Sequence, residues 1–129
     1  MPNGIDEETE LIADLINGFR IANGKGPLFL DRHLTLGARS FSLSRLAQIN
    51  DVMEGKVIVR SVPKERDGWN FEIVGFGKGK DAQEFAKELV LSWIGKDEGC
   101  KKQILDAAYA MGIGFCHERG DVFITLRMR

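Results

Sequence analysis

Apolar residues recur at helical spacing early in the chain, where Leu11, Ile12, Leu15, Ile16 and Phe19 fall on one face. Asp6, Glu7, Glu8 and Glu10 precede or open that run, at the positive end of the helix dipole. Asn23-Gly24 and Gly26-Pro27 then stop the helix. Asp31 reads as the N-cap of a second helix, with Leu34, Ala38, Phe41, Leu43 and Leu46 turned inward and Arg32, Arg39 and Arg45 toward solvent. Val57-Ile58-Val59 predicts a short strand, Pro63 to Gly68 a polar turn region, and Trp69 to Phe76 a longer strand. Asp81 and Glu84 form a capping box for a third helix that directs Phe85, Leu89 and Trp93 inward. A short helix follows across Lys101 to Ala108. The chain closes as a hairpin, Met111 to Cys116 pairing with Val122 to Met128 around a turn that contains Arg119-Gly120-Asp121.

Helices first, then a strand, a helix and a terminal hairpin is not the alternation that builds a parallel sheet. The order predicts an α+β fold, an antiparallel sheet with helices packed on its faces. The 129 residues suit a single domain, 1–129, and 43% hydrophobic against 29% charged residues gives enough apolar surface for one core. A net charge of −1, with lysines and arginines scattered among carboxylates, gives no electrostatic case for nucleic acid or an anionic membrane. No apolar run approaches the roughly 20 residues of a membrane span. Met1 to Glu10 has neither a basic nor an apolar segment of signal-peptide type. That pattern points to the cytosol unless a signal has been removed ahead of residue 1.

The candidate chemistry is sparse. Gly75, Gly77 and Gly79 lie between a strand and a helix, where a phosphate loop would lie, but Lys80 stands where the dinucleotide fingerprint needs glycine, so a structural turn is expected. His33 and His117 belong to different elements, and a zinc site needs three or four converging ligands. Cys100, after Gly99 and before Lys101 and Lys102 near a helix start, has neighbours that lower a thiol pKa, which makes it a candidate reactive thiol. The plainer readings are a buried small residue or a disulfide to Cys116. Met111, Ile113 and Phe115 share one strand face, which puts Cys116 on the other with Gly112 and Gly114, whose missing side chains suit an approaching helix. Arg119-Gly120-Asp121 is the integrin-recognition tripeptide and also a good hairpin turn.

A family pattern runs through the chain in order. Phe71-Glu72-Ile73-Val74-Gly75-Phe76-Gly77 resembles the GENIAYG-type segment of the CAP superfamily, the cysteine-rich secretory, antigen 5 and pathogenesis-related proteins with their SCP-like domain. Trp93-Ile94 followed by Gly99 to Leu105 is similar to that family's tryptophan, Gly-His and Ile-Leu segment. Tyr109-Ala110-Met111-Gly112-Ile113-Gly114 is similar to its Tyr … Ile-Gly-Val-Gly strand. A helix ending near Arg20, then Pro27-Leu28 and Leu30-Asp31, resembles the family opening. The resemblance implies an α-β-α sandwich, with three or four antiparallel strands between helical layers, and a secreted or cell-surface location. It also implies a cleft whose two histidines and two acids bind a divalent metal in some members. Here Glu72 matches the first acid, Cys100 stands in place of the second histidine, Lys96 in place of the second acid, and Gln48 to Val62 contains no histidine. One carboxylate and a thiol do not hold a metal at useful affinity. No metal and no cofactor is therefore expected.

The leading expectation is a non-enzymatic CAP-like module that binds a lipid, a sterol or a protein partner, the lipid coming from the resemblance alone. A hydrolase using Glu72 with Cys100 is the alternative from another class, and an adhesive domain using Arg119-Gly120-Asp121 is a third. Glu72 is expected to line a shallow cleft and to accept hydrogen bonds from backbone amides. The related domains often place a disulfide from just before the short helix into the strand after it, so Cys100–Cys116 stays open beside two mostly buried free thiols.

Overall fold

The structure is a computed structural model that describes residues 6–53, 68–78, 81–118 and 120–129. The short strand expected at Val57 to Val59 lies outside the described residues. The elements run α1 (Glu7–Ala22), β1 (Phe29–Leu30), α2 (Arg32–Met53), β2 (Phe71–Lys78), α3 (Ala82–Gly95), α4 (Glu98–Asp106), β3 (Ala110–Glu118) and β4 (Asp121–Met128).

An aspartate opens every one of these helices. Asp6 accepts a hydrogen bond from the Thr9 N–H, Asp31 from Leu34, Asp81 from Glu84 and Asp97 from Cys100, at 2.8 to 3.0 Å. Each satisfies one of the orphan amides of a first turn and meets the positive end of the dipole. Because Asp97 caps it, α4 starts three residues earlier than the apolar pattern suggests.

The strands form one sheet in the order β1-β3-β4-β2. β3 and β4 are the expected hairpin, with Glu118 opposite Asp121 beside a turn in which Gly120 takes φ +82°, a conformation that glycine adopts without steric cost. β2 lies antiparallel to β4, Glu72 opposite Arg127 and Phe76 opposite Phe123. The three long strands are thus antiparallel. β1 adds two residues in parallel beside β3, through bonds from the Phe29 amide to the Tyr109 carbonyl and from the Asp31 amide to the Met111 carbonyl. Two residues carry no alternation, which is why the sequence pattern does not announce them. Beyond them the Thr35 hydroxyl accepts from the Ile113 amide at 3.3 Å.

One sheet face carries Ile73, Met111, Ile113, Phe115, Val122, Ile124, Leu126 and Met128, and α1, α3 and α4 cover it with Ile12, Ile16, Ala86, Val90, Trp93 and Ile104. α2 covers the other face, lying across β3 and β4. It comes so close that a Cβ at Gly112 or Gly114 would overlap the backbone of Leu34 or Ala38. The result is the α-β-α sandwich. No helix among the described residues is long and apolar enough to cross a membrane.

Candidate functional site

The α2 face of the sheet is polar where it is buried. Ser42 donates to the Gly114 carbonyl or shares a proton with the Thr125 hydroxyl, both at 2.8 Å. Next to Thr125 on the same face comes Arg127, only 2% exposed. Its Nε donates to Glu72 Oε2 at 2.9 Å, and its guanidinium stacks over Phe41 at 5.2 Å and Trp69 at 5.0 Å. A buried cation needs such a set of partners, since an unpaired charge in a dry interior is strongly unfavourable. Glu72 therefore bonds to a guanidinium and not to the backbone amides expected of it.

Over this pair lies a concavity of about 260 Å³ between α2 and β2, lined by Phe41, Arg45, Gln48, Ile49, Glu72, Val74 and Phe123. It exists because α2 stops short of β2. Val74 is 46% exposed and Phe76 42%, both on the face that α2 covers elsewhere. Phe123 packs edge-on against Phe41 at 6.3 Å and tilted against Phe76 at 6.4 Å. At the rim Arg45 stacks on Phe41 at 5.1 Å and donates to Gln48 Oε1 at 3.3 Å. Chemically this is an apolar seat with a neutralised carboxylate in its floor and a guanidinium at its edge.

Cys100 is elsewhere. It packs from α4 against the aliphatic core, on the opposite face of the sheet from Glu72. Its thiol is pushed up to about 11, first by burial, then by the charge of Asp97 and a hydrogen bond to it. The lysines that suggest activation in the sequence are outweighed by the helix's own N-cap, and Lys101 and Lys102 pair with Glu98 and Asp106. The hydrolase pairing of Glu72 with Cys100 thus lacks its geometry.

Cys116 lies on the α2 face, its Sγ 3.7 Å from the Arg39 carbonyl, and burial raises its pKa as well. Both cysteines are free, and the sheet between them precludes the disulfide left open by the sequence. Of the expected adhesion turn, Arg119 lies outside the described residues, and Asp121 is 8% exposed with no hydrogen bond to Oδ1. His33 and His117 are exposed on separate elements, and no group of three metal-ligating side chains occurs among the described residues. Gly75 and Gly77 are strand residues under Leu89 and Phe85 of α3.

Sequence reasoning placed Phe41 in the core and Arg45 in solvent, and it did not single out Arg127. A signal for Arg127 exists. It is the one charge inside Val122 to Met128, and Glu72 is the one acid in the strand Phe71 to Lys78.

No protein-family model matches the sequence, and no curated protein matches it. Solved structures do. An outer surface protein of Borrelia burgdorferi is similar with a TM-score of 0.63 at 14% identity, over 96% of this chain and 93% of that one. A cysteine-rich secretory protein of Staphylococcus aureus gives 0.59 at 14%, over 95% of this chain but 38% of its own length. An extracellular SCP-domain protein of Bacillus anthracis gives 0.55 at 15%, over 100% of this chain and 44% of that one. The chain thus spans less than half of two of these proteins. At such identities the likeness speaks for architecture, and the architecture is that of the SCP domain: this chain has a CAP-like fold.

Proposed function

We propose that this chain is a non-enzymatic, extracytoplasmic binding module that seats the apolar part of a lipid-like ligand between α2 and β2. The observation that carries the reading is the uncovered apolar floor. Val74 and Phe76 stay exposed beside Phe41, Ile49 and Phe123 on a face that is otherwise sealed. Solvent-exposed aromatic and aliphatic groups in a concavity are the usual lining of a ligand site. The volume of about 260 Å³ is below the range of about 300–1,000 Å³ typical of drug-sized ligands. It fits one end of an amphiphile better than a whole sterol.

Two further observations support a binding role. Glu72 is tied to Arg127, and Cys100, its thiol pKa raised by burial, lies behind the sheet, so these two described residues do not form the nucleophile–base pair that covalent catalysis requires. The similar structures are described as secretory, outer-surface and extracellular proteins, which favours a location outside the cytoplasm. The test is titration with a dansyl-labelled undecanoic acid. Saturable fluorescence enhancement that disappears in Val74→Asp is expected. Absence of saturable binding, or binding that Val74→Asp leaves intact, overturns the site.

A further inference from the structure

Three asparagines of this chain precede a glycine, in Asn3-Gly4, Asn17-Gly18 and Asn23-Gly24. Such a pair can react with itself, because a glycine leaves the backbone nitrogen after the asparagine unhindered. Asn3 lies outside the described residues. The other two belong to one helix and its cap, and the structure treats them in opposite ways. Asn17 stands inside α1, half-buried, with both ends of its amide engaged. Its Nδ2 donates to the Leu28 carbonyl at 3.1 Å, and its Oδ1 accepts from the Leu28 amide at 2.7 Å. Asn23 is exposed and sits one residue past the helix, at φ −106° and ψ 19°. Its Nδ2 donates to the Phe19 carbonyl at 2.9 Å, and the Gly24 amide donates to the Ile21 carbonyl at 3.1 Å. Both bonds belong to the exposed last turn. Gly24 itself has φ +78° and open space where a Cβ would stand. The last turn of a helix frays, whereas the interior of a packed helix opens only when its tertiary contacts are lost.

We propose that Asn23-Gly24 is a site of spontaneous deamidation, from which the fold protects Asn17-Gly18. When the last turn frays, the Gly24 nitrogen gives up its proton to solvent base and attacks Cγ of Asn23. The new N–C bond closes a succinimide ring, the Cγ–Nδ2 bond breaks, and the nitrogen leaves as ammonia after protonation by water. Water then opens the ring at one carbonyl or the other and yields aspartate or isoaspartate. Either product places a carboxylate at the negative end of the α1 dipole. Isoaspartate also lengthens the main chain by one carbon at residue 23. The segment that shifts is the one that holds the buried Arg20. The Lys25 amide donates to the Arg20 carbonyl at 2.9 Å, and the Gly26 carbonyl accepts from Arg20 Nε at 2.8 Å. Ageing at this pair therefore loosens the link that Arg20 makes to the carbonyls of Ile104 and Ala107.

The test incubates the full chain in mildly alkaline buffer at physiological temperature, folded and in urea, and follows it by peptide mass mapping. Tryptic cleavage after Arg20 and Lys25 isolates Asn23, and fragmentation of the peptide ending at Arg20 separates Asn17 from Asn3. In urea, Asn17 and Asn23 should convert at similar rates. In the folded chain Asn23 should convert at least about tenfold faster than Asn17, since fraying is far easier than opening a packed helix. Enzymatic methylation specific for isoaspartate should label the peptide Ile21 to Lys25 of the aged folded chain. The aged chain should also melt at a lower temperature than the fresh one. Asn23→Gln, whose longer side chain closes such a ring far more slowly, retains Asn3 and Asn17 and should lose less on ageing. No conversion at Asn23 in the folded chain, or equal rates at Asn17 and Asn23 there, overturns the site. An equal loss of melting temperature in native protein and Asn23→Gln overturns the consequence for Arg20.

Discussion

The two faces of this sheet solve different problems with the same strands. Toward α1, α3 and α4 the alternate residues are Met111, Ile113, Phe115, Val122, Ile124, Leu126 and Met128, all buried and aliphatic or aromatic. Toward α2 they are Gly112, Gly114, Phe123, Thr125 and Arg127, where hydroxyls and a guanidinium are satisfied one by one. The first face is non-directional and tolerant: a lost methylene there costs its burial and the cavity left behind. The second is directional, because each buried polar group depends on a particular partner. The first face is closed along its length, while the second ends in the open concavity over β2.

The largest effect should come from the closest approach. In Gly114→Val the new side chain would overlap the backbone of Ala38 and Arg39, which cannot yield as a side-chain tip can. The expected loss exceeds about 3 kcal/mol, the upper part of the range for overpacking. A urea melt that shows the variant within 1 kcal/mol of the native protein, on the order of ordinary surface substitutions, would mean that α2 does not rest on β3 as described.

Much of this was legible in the sequence. Alternation of Met111, Ile113 and Phe115 against Gly112, Cys116 and Gly114 predicted both the inner face and the approach of a helix to the glycines. The N-caps Asp31 and Asp81 set two helix starts. What the pattern missed was long-range and polar. Leu43 fits the apolar spacing of α2 but is exposed, while Ser42 beside it is buried by its bonds to the sheet. Hydrophobicity cannot signal a serine whose partners lie more than seventy residues away. Likewise Arg20, placed only as a helix end, lies buried among carbonyls far along the chain. The site was half visible: the family segment marked Glu72, but its partner Arg127 and the aromatic seat required the fold.

Arg20 sharpens the comparison from the aliphatic side, since it is a buried cation there. Its Nε donates to the Gly26 carbonyl at 2.8 Å and its Nη1 to those of Ile104 and Ala107, each at 2.7 Å. It thereby joins the loop after α1 to the C-terminal end of α4, where a cation also meets the helix dipole. Arg20→Met keeps the stem and strands these carbonyls. A loss of about 3 kcal/mol is expected from charged hydrogen bonds of this kind. A loss below about 1 kcal/mol in thermal or chemical unfolding would show that water replaces the guanidinium readily.

The buried pair should behave as a unit. Glu72→Gln removes the carboxylate that Arg127 Nε holds at 2% exposure and should cost about 2–4 kcal/mol. Arg127→Met alone leaves a partly exposed carboxylate that water can reach, so its cost should be smaller, about 1–2 kcal/mol. The double variant should be no less stable than Glu72→Gln, because it carries neither member of the buried pair. A double-mutant cycle with costs that simply add would mean that the two side chains do not interact in solution.

The smallest effect separates binding from folding. Ile73 and Val74 are neighbours on β2, yet Ile73 faces the aliphatic core and Val74 the open concavity. At 46% exposure Val74 gains little from burial, and an aspartate in its place reaches water without crossing the core. The penalty in Val74→Asp should stay within about 0.5 kcal/mol, as for other surface substitutions. β-propensity disfavours aspartate in a strand, and that places the change at the upper end of the range. The neighbouring Glu72 adds little repulsion, since Arg127 holds its charge. If Val74→Asp unfolded the protein as a core substitution does, then the concavity would be sealed in solution, and the polar face would be a second core and not a binding surface. Equal melting curves for native protein and variant, alongside loss of probe binding, would place Val74 in the site alone.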